Sequence, residues 1–207
     1  MSGWAKATRA VAPPPAPREE RPETWHERVL REVHESDPIY AVLDGARDPR
    51  VRALLRSTNA PAWCLYRGEL SDAVAAVAPW LVRLARGQPY TRVLLDAAWG
   101  KSWGILLSSG SPSKELRFHL RRFLLARTTE GTRLLFRYYD PRVLRAYLPT
   151  CTAEETRLFF GPLSGLAAEA SDPQAFHVFR STPNGLQQRR VEPFRSEDPA
   201  LASRPSR

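Results

Sequence analysis

The string Gly100-Lys101-Ser102 is the part of this sequence that comes nearest to a phosphate-binding loop. In such a loop the backbone amides hold the phosphates, while the lysine and the serine reach phosphate and magnesium. The loop also needs a glycine five positions before the final one, but Leu95 stands there and the bulky Trp99 adjoins the turn. We therefore interpret the string as a connection between a helix and a strand, and we expect no cofactor.

Metal-ligating residues are present but lack the spacing of a metal site. Neither cysteine has a second cysteine nearby, as a zinc site of the common spacing would require. His119 lies between arginines that disfavour the imidazolium, so we interpret it as a histidine on a helix surface. The residues concerned are His26, His34, His119, His177, Cys64 and Cys151.

Acid–base or nucleophilic catalysis also lacks a pattern. Asp44 precedes a glycine and fits a turn, and Asp96 fits the interior of a helix. The serines of residues 108–111 are not in the Gly-x-Ser-x-Gly arrangement of a nucleophile elbow. We predict that the protein is not an enzyme, with an unrecognised enzyme as an alternative.

The chain is strongly basic, with 31 lysines and arginines against 22 acidic residues. The excess is concentrated in residues 38–170, which hold 19 of the basic and 11 of the acidic residues. Such a surface suits an acidic protein or a nucleic acid. Phe136, Tyr138 and Tyr139 could stack on bases, but the glycine-containing signature of the common RNA-binding sheet is missing. We favour an acidic protein partner and keep a basic nucleic-acid-binding regulator as the alternative.

The sequence predicts a cytoplasmic protein without a membrane segment. No run approaches the roughly 20 apolar residues that cross a bilayer. The N-terminal residues lack the apolar core of a secretory signal, and two cysteines in 207 residues indicate reduced thiols.

Three parts are expected along the chain. Residues 1–22 contain five prolines with small and charged residues, so we predict a disordered leader. Residues 196–207 resemble it and are predicted to be a disordered tail. Residues 23–195 then form a single domain.

The domain is predicted to be α/β in the mixed α+β sense. Capping boxes at Thr24 and Thr152 open helices, and Asp48 and Asp140, each before a proline, are expected N-caps. We expect a sheet with flanking helices in the N-terminal and middle parts, a more helical lobe after about residue 140, and a C-terminal hairpin. Helices are predicted at about 24–35, 48–56, 70–78, 90–98, 111–126 and 152–160, and strands at 39–43, 63–65, 103–107, 134–139 (buried), 176–180 and 186–191.

Five strings in this order and spacing resemble the adaptor or effector-chaperone family of bacterial type VI secretion, catalogued as domain of unknown function 4123. Together they span about residues 39–165. The strings are Tyr40-Ala41-Val42-Leu43-Asp44-Gly45-Ala46-Arg47-Asp48-Pro49, Leu65-Tyr66-Arg67-Gly68, Ala78-Pro79-Trp80-Leu81-Val82, His119-Leu120-Arg121-Arg122 and Phe136-Arg137-Tyr138-Tyr139-Asp140-Pro141-Arg142-Val143-Leu144.

The resemblance implies a non-catalytic cytoplasmic protein that binds a toxic effector and helps load it onto the VgrG-type spike protein. Guanidinium groups suit carboxylates of an acidic partner. The candidate partner-binding residues are accordingly Arg117, Arg121, Arg122, Arg137 and Arg142, with pairing inside the fold or simple solvation as the alternative for each. A second hypothesis is that the strand pair at 176–191 offers a partner an exposed sheet edge.

Overall fold

The computed structural model describes residues 23–127, 130–195 and 198. The predicted leader and almost all of the predicted tail lie outside these residues. Two sheets, seven α-helices and a short 3-10 helix at Leu148–Thr150 make up the described fold. The helices are α1 Trp25–Val33, α2 Arg50–Ser57, α3 Asp72–Ala76, α4 Pro89–Ala98, α5 Ser113–Arg122, α6 Pro141–Tyr147 and α7 Ala153–Phe160, and the strands are β1 Ile39–Asp44, β2 Ala62–Cys64, β3 Pro79–Leu84, β4 Gly104–Ser108, β5 Leu125–Arg127, β6 Arg133–Leu135, β7 Gly165–Glu169, β8 Phe176–Thr182 and β9 Gly185–Val191.

The main sheet has seven strands in the order β2-β3-β1-β4-β7-β8-β9. Every neighbouring pair is antiparallel, so the fold is α+β. All six residues of the central strand β1 are buried. Because side chains alternate between the two faces of a strand, helices must cover the sheet on both sides.

Two apolar clusters fill the spaces on the two sides of the sheet. One joins Ala41 and Leu43 of β1 to the apolar faces of α1, α2 and α4. The other joins Tyr40 and Val42 to α5, α6 and α7. The predicted mixed α+β fold is therefore confirmed. Among the described residues, no helix combines the length and the apolarity needed to cross a membrane.

The segment after α5 differs from the prediction. The helix ends at Arg122, not near residue 126, and β5 pairs with β6 as a separate two-stranded sheet. The predicted buried strand at 134–139 is wrong, because β6 is exposed and residues 136–139 form no strand. Aromatic and aliphatic composition indicates burial, and Tyr138 and Tyr139 are indeed buried, but only a paired partner makes a strand.

The segment after residue 140 is helical only as far as α7. Its three remaining strands return to the main sheet, and β7 pairs with β4. Strand β7 was not predicted, since its sequence Gly-Leu-Ala-Ala-Glu is poor in the residue types enriched in strands. The predicted C-terminal hairpin is present as β8 and β9. Thr182 pairs with Gly185 there, so Pro183-Asn184 forms the turn, and the φ of 109° at Gly185 suits glycine.

Candidate functional site

Two of the five candidate arginines point into the fold. The guanidinium of Arg121 donates to the backbone carbonyls of Cys64 at 3.0 Å, Leu65 at 2.8 Å and Tyr66 at 2.8 Å. Arg117 lies beside it and reaches the Cys64 carbonyl at 3.4 Å. Arg121 therefore ties α5 to the end of β2 and the segment that follows it, through its Nε and Nη2 groups.

His119 and Arg122 lie on different sides of α5. Arg122 is exposed, whereas His119 is buried and its Nε2 lies 2.8 Å from the Phe159 carbonyl oxygen. The prediction of a surface histidine is therefore wrong. The pKa of His119 is lowered mainly by burial, with a smaller effect of Arg122. Gly161 makes this packing possible, because a Cβ there would lie 2.3 Å from the imidazole.

A polar cluster forms where β1 ends, and we call it the corner cluster. It consists of Asp44, Tyr66, Arg137, Tyr139, Asp140 and Arg142. Only 2% of Asp44 is exposed, and its carboxylate accepts from the Ala46 N–H at 3.0 Å and faces an Arg137 Nη1 at 3.5 Å. The backbone N–H of Asp140 donates to the Arg137 carbonyl, which ties the two halves of the cluster together.

Asp140 and Arg142 complete the outer part of the corner cluster. The Asp140 carboxylate accepts from the backbone N–H of Arg142 at 2.9 Å and caps α6. It also accepts from Nε and Nη2 of the Arg142 side chain at 3.0 and 2.5 Å. One carboxylate thus starts the helix and orients a guanidinium.

The Asp-Pro-Arg sequence at residues 48–50 repeats this geometry. Asp48 accepts from the Arg50 backbone at 2.9 Å and from the Arg50 guanidinium. The expected N-cap at Asp48 needs correction, however. Helix α2 starts one residue later, with Pro49 in the cap position and no side-chain cap. The carboxylate contact instead closes a turn before the helix. At Thr24 and Thr152 the hydroxyl accepts from the backbone N–H of the glutamate three residues later. The glutamate side chain in turn accepts from the threonine backbone N–H, so both capping boxes are complete.

Burial is the largest single influence on the pKa values of the carboxyls and phenols of the corner cluster. It raises the pKa of Asp44, although the Ala46 N–H and Arg137 act against it. Burial would also raise the pKa of Asp140, but the hydrogen bonds from Arg142 lower it below its ordinary value. The pKa values of Tyr66 and Tyr139 are raised, first by burial. Both phenols are therefore neutral near pH 7 and can donate hydrogen bonds.

The exposed parts of the corner cluster are guanidiniums. The side chains of Arg137 and Arg142 are 48% and 55% exposed, while their carboxylate partners are 3% and 9% exposed. Arg47 adds a third positive charge that acts on both Asp44 and Asp140. Buried carboxylates thus orient the two exposed guanidiniums. Exposed guanidiniums in fixed positions are suited to binding an anion.

A second surface was missed by the sequence reasoning. We call it the hairpin surface and define it by four exposed apolar residues and four exposed arginines on α5, the β5–β6 hairpin and the segment after β2: Phe118, Leu125, Leu134, Leu135, Arg67, Arg122, Arg127 and Arg133. A polar run with Gly131 between two short apolar runs is a hairpin signal that could have found it.

Within the described residues, no group of three or more His, Cys, Asp and Glu side chains could hold a metal ion. Cys64 and Cys151 are free. The groups that the fold assembles in the corner cluster are arginines, buried carboxylates and phenols.

Fold and site together define an α+β domain that exposes arginines at the corner cluster and apolar side chains on a hairpin. The chain belongs to the family described as domain of unknown function DUF4123, which matches residues 39–158, more than half of its length. No curated protein and no solved structure matches it. Strands β7–β9 lie beyond the matched residues, although β7 is hydrogen-bonded to β4 in the same sheet.

Proposed function

We propose that the chain is a non-catalytic cytoplasmic adaptor that binds a toxic effector of type VI secretion and helps load it onto the VgrG-type spike protein. Membership in DUF4123 is consistent with this function but does not name it. The secretion assignment rests on the resemblance of the five motif strings. Four of those strings supply the corner cluster and the Arg121 contacts that adjoin it.

The observation that carries the proposal is the exposure of oriented guanidiniums in the corner cluster. Arg137 and Arg142 each rest against a buried carboxylate and are about half exposed. A side chain that is already oriented loses less conformational freedom when it binds. Planar guanidinium forks are suited to carboxylates, so the corner cluster fits an acidic surface on one of the two partners.

Paired neutral substitutions test this site. The variant Arg137→Gln/Arg142→Gln is expected to lower co-purification with the spike protein or the toxin from the same genome at least tenfold, because both exposed charges are lost. Arg157→Gln is the matched control, since Arg157 is an exposed arginine of α7 whose side chain forms, among the described residues, a single ion pair, with Glu154 at 4.0 Å. Melting temperatures show whether each variant is folded.

Two results would contradict the proposal. One is unchanged retention of both partners by the folded double variant. The other is a salt-sensitive mobility shift of DNA or RNA at micromolar protein without any partner retention, which would favour a nucleic-acid-binding regulator.

A further inference from the structure

The β5–β6 hairpin exposes leucines on both of its faces. Leu125 pairs directly with Leu135, so these two side chains share one face, while Leu134 pairs with Ala126 on the other. Phe118, Leu125, Leu134 and Leu135 are 63%, 59%, 50% and 42% exposed. Large apolar side chains with this much exposed area on one short hairpin and the neighbouring helix are typical of interaction sites.

The hairpin is attached to the domain at its base. Leu124 is buried, and its carbonyl accepts from the Phe136 N–H at 2.9 Å. Phe136 in turn packs edge-on against Tyr147 of α6. Beyond this base, no described strand pairs with either outer edge of the hairpin. A two-stranded hairpin is marginally stable by itself, and a third strand would satisfy the open edge.

The hairpin also places two like charges opposite each other. Arg127 pairs with Arg133, two positions from the Leu125–Leu135 pair and on the same face. Like charges directly opposite each other are unfavourable. In the part of the chain that the structure describes, neither arginine forms an ion pair, and the same holds for Arg67 and Arg122.

We propose that the hairpin surface binds an extended segment of a partner protein that adds a strand to the hairpin and carries an apolar and an acidic residue two positions apart. The apolar residue covers Leu125 and Leu135. The acidic residue lies beside the Arg127–Arg133 pair on the same face, where its charge offsets their repulsion. Main-chain hydrogen bonds at an open edge supply affinity, and alternate side chains supply specificity.

Because leucines are exposed on both faces of the hairpin, an added protein strand fits this surface better than a membrane does. A bilayer surface could take up Leu125 and Leu135, but it would leave Leu134 on the opposite face in water. An added strand continues both faces of the hairpin, because its side chains alternate. The hairpin surface shares no residue with the corner cluster, so the inference goes beyond the proposed function and does not depend on it.

Fluorescence anisotropy with synthetic peptides tests the inference on the full-length chain. The probe is a labelled nine-residue peptide with leucine and aspartate two positions apart, and the comparison peptide carries lysine in place of aspartate. We expect micromolar binding of the first and at least tenfold weaker binding of the second. Leu135→Ser and Arg133→Gln should each weaken binding of the aspartate peptide at least tenfold.

Val93→Ser is the matched control, because Val93 is an exposed apolar residue of α4, which packs on the other side of the sheet. It should bind the peptide like the unaltered chain. The Arg137→Gln/Arg142→Gln variant should also bind the peptide normally, so failure here and failure of the proposed function are distinguishable. Melting temperatures check the fold, and serine at an exposed position should leave them unchanged.

Several results would overturn the inference. Equal binding of both peptides would show that the acidic residue is not recognised. Full binding by Leu135→Ser would show that the peptide does not bind at the hairpin surface. Absence of peptide binding would refute strand addition. If vesicles containing phosphatidylserine or a single-stranded oligonucleotide then bound in a Leu135-dependent way, the surface would belong to a membrane or a nucleic acid instead.

Discussion

Arg121→Met should destabilise the fold, because Arg121 holds the segment after β2 through three carbonyls. The substitution keeps the apolar stem and removes donors at 2.8, 2.8 and 3.0 Å. A hydrogen bond to a charged group contributes about 1.5–3 kcal/mol. Arg121 is only partly buried, so water can replace part of the loss. We expect the free energy of unfolding to fall by about 3 kcal/mol.

Urea unfolding followed by tryptophan fluorescence measures this change, since the chain has six tryptophans. With a urea dependence of about 2 kcal/mol per molar, typical of small domains, the midpoint should drop by roughly 1.5 M. Arg122→Met is the matched control, because its neighbour Arg122 is exposed on the same helix. An exposed substitution of this kind should change stability by less than about 0.5 kcal/mol.

Equal stabilities of Arg121→Met and Arg122→Met would refute the reasoning. Such a result would mean that water satisfies the three carbonyls equally well. Arg121 would then again be a candidate partner-binding residue. Arg121→Lys separates charge from geometry. A single ammonium cannot reproduce a planar fork that reaches three carbonyls, so this variant should be less stable than the unaltered chain.

Three further predictions concern the corner cluster and its surroundings. Asp140→Asn should cost about 0.5–1 kcal/mol near neutral pH, because asparagine can still cap α6 but loses the negative charge that pairs with the Arg142 guanidinium. Since the pKa of Asp140 is lowered in the folded state, this stabilising effect should vanish in unfolding experiments as the pH falls below about 4. The pKa of Asp44 is raised, so stability relative to Asp44→Asn should increase on acidification from pH 7, and a constant difference would contradict its burial. Gly45→Ala should lower the melting temperature strongly, because its Cβ would lie 2.4 Å from the Ala76 carbonyl oxygen, whereas Gly110→Ala meets only an atom at 3.8 Å.

Local patterns predicted the helices of this fold better than its strands, since β3, β5 and β7 were not predicted as strands. The capping residues Thr24 and Thr152 marked helix starts because the interacting groups lie three residues apart. The apolar run at 39–43 indicated the central strand, which is buried on both faces. Strand β7 was not predicted because Gly-Leu-Ala-Ala-Glu has few of the residue types that favour strands, and its strand conformation depends on pairing with β4.

The two candidate surfaces could be predicted only in part. Arg137 and Arg142 were singled out by their residue type, but nothing local indicated that Arg137 would meet Asp44, 93 residues earlier in the chain. Arg121 was expected to face a partner, and its three carbonyl acceptors lie 55 to 57 residues away. The direction of a side chain on a helix depends on what the rest of the fold places beside it.

By itself the sequence determined the helix caps at Thr24, Asp140 and Thr152, the buried strand at 39–43, the C-terminal hairpin and the basic character of the domain, because these depend on neighbouring residues or on composition. Only the tertiary structure decided which arginines face inward, which carboxylates orient the others, and that Leu134 and Leu135 are exposed. The physical reason is that hydrogen bonds and burial between distant segments follow from the strand order of the sheet, and local propensity does not encode that order.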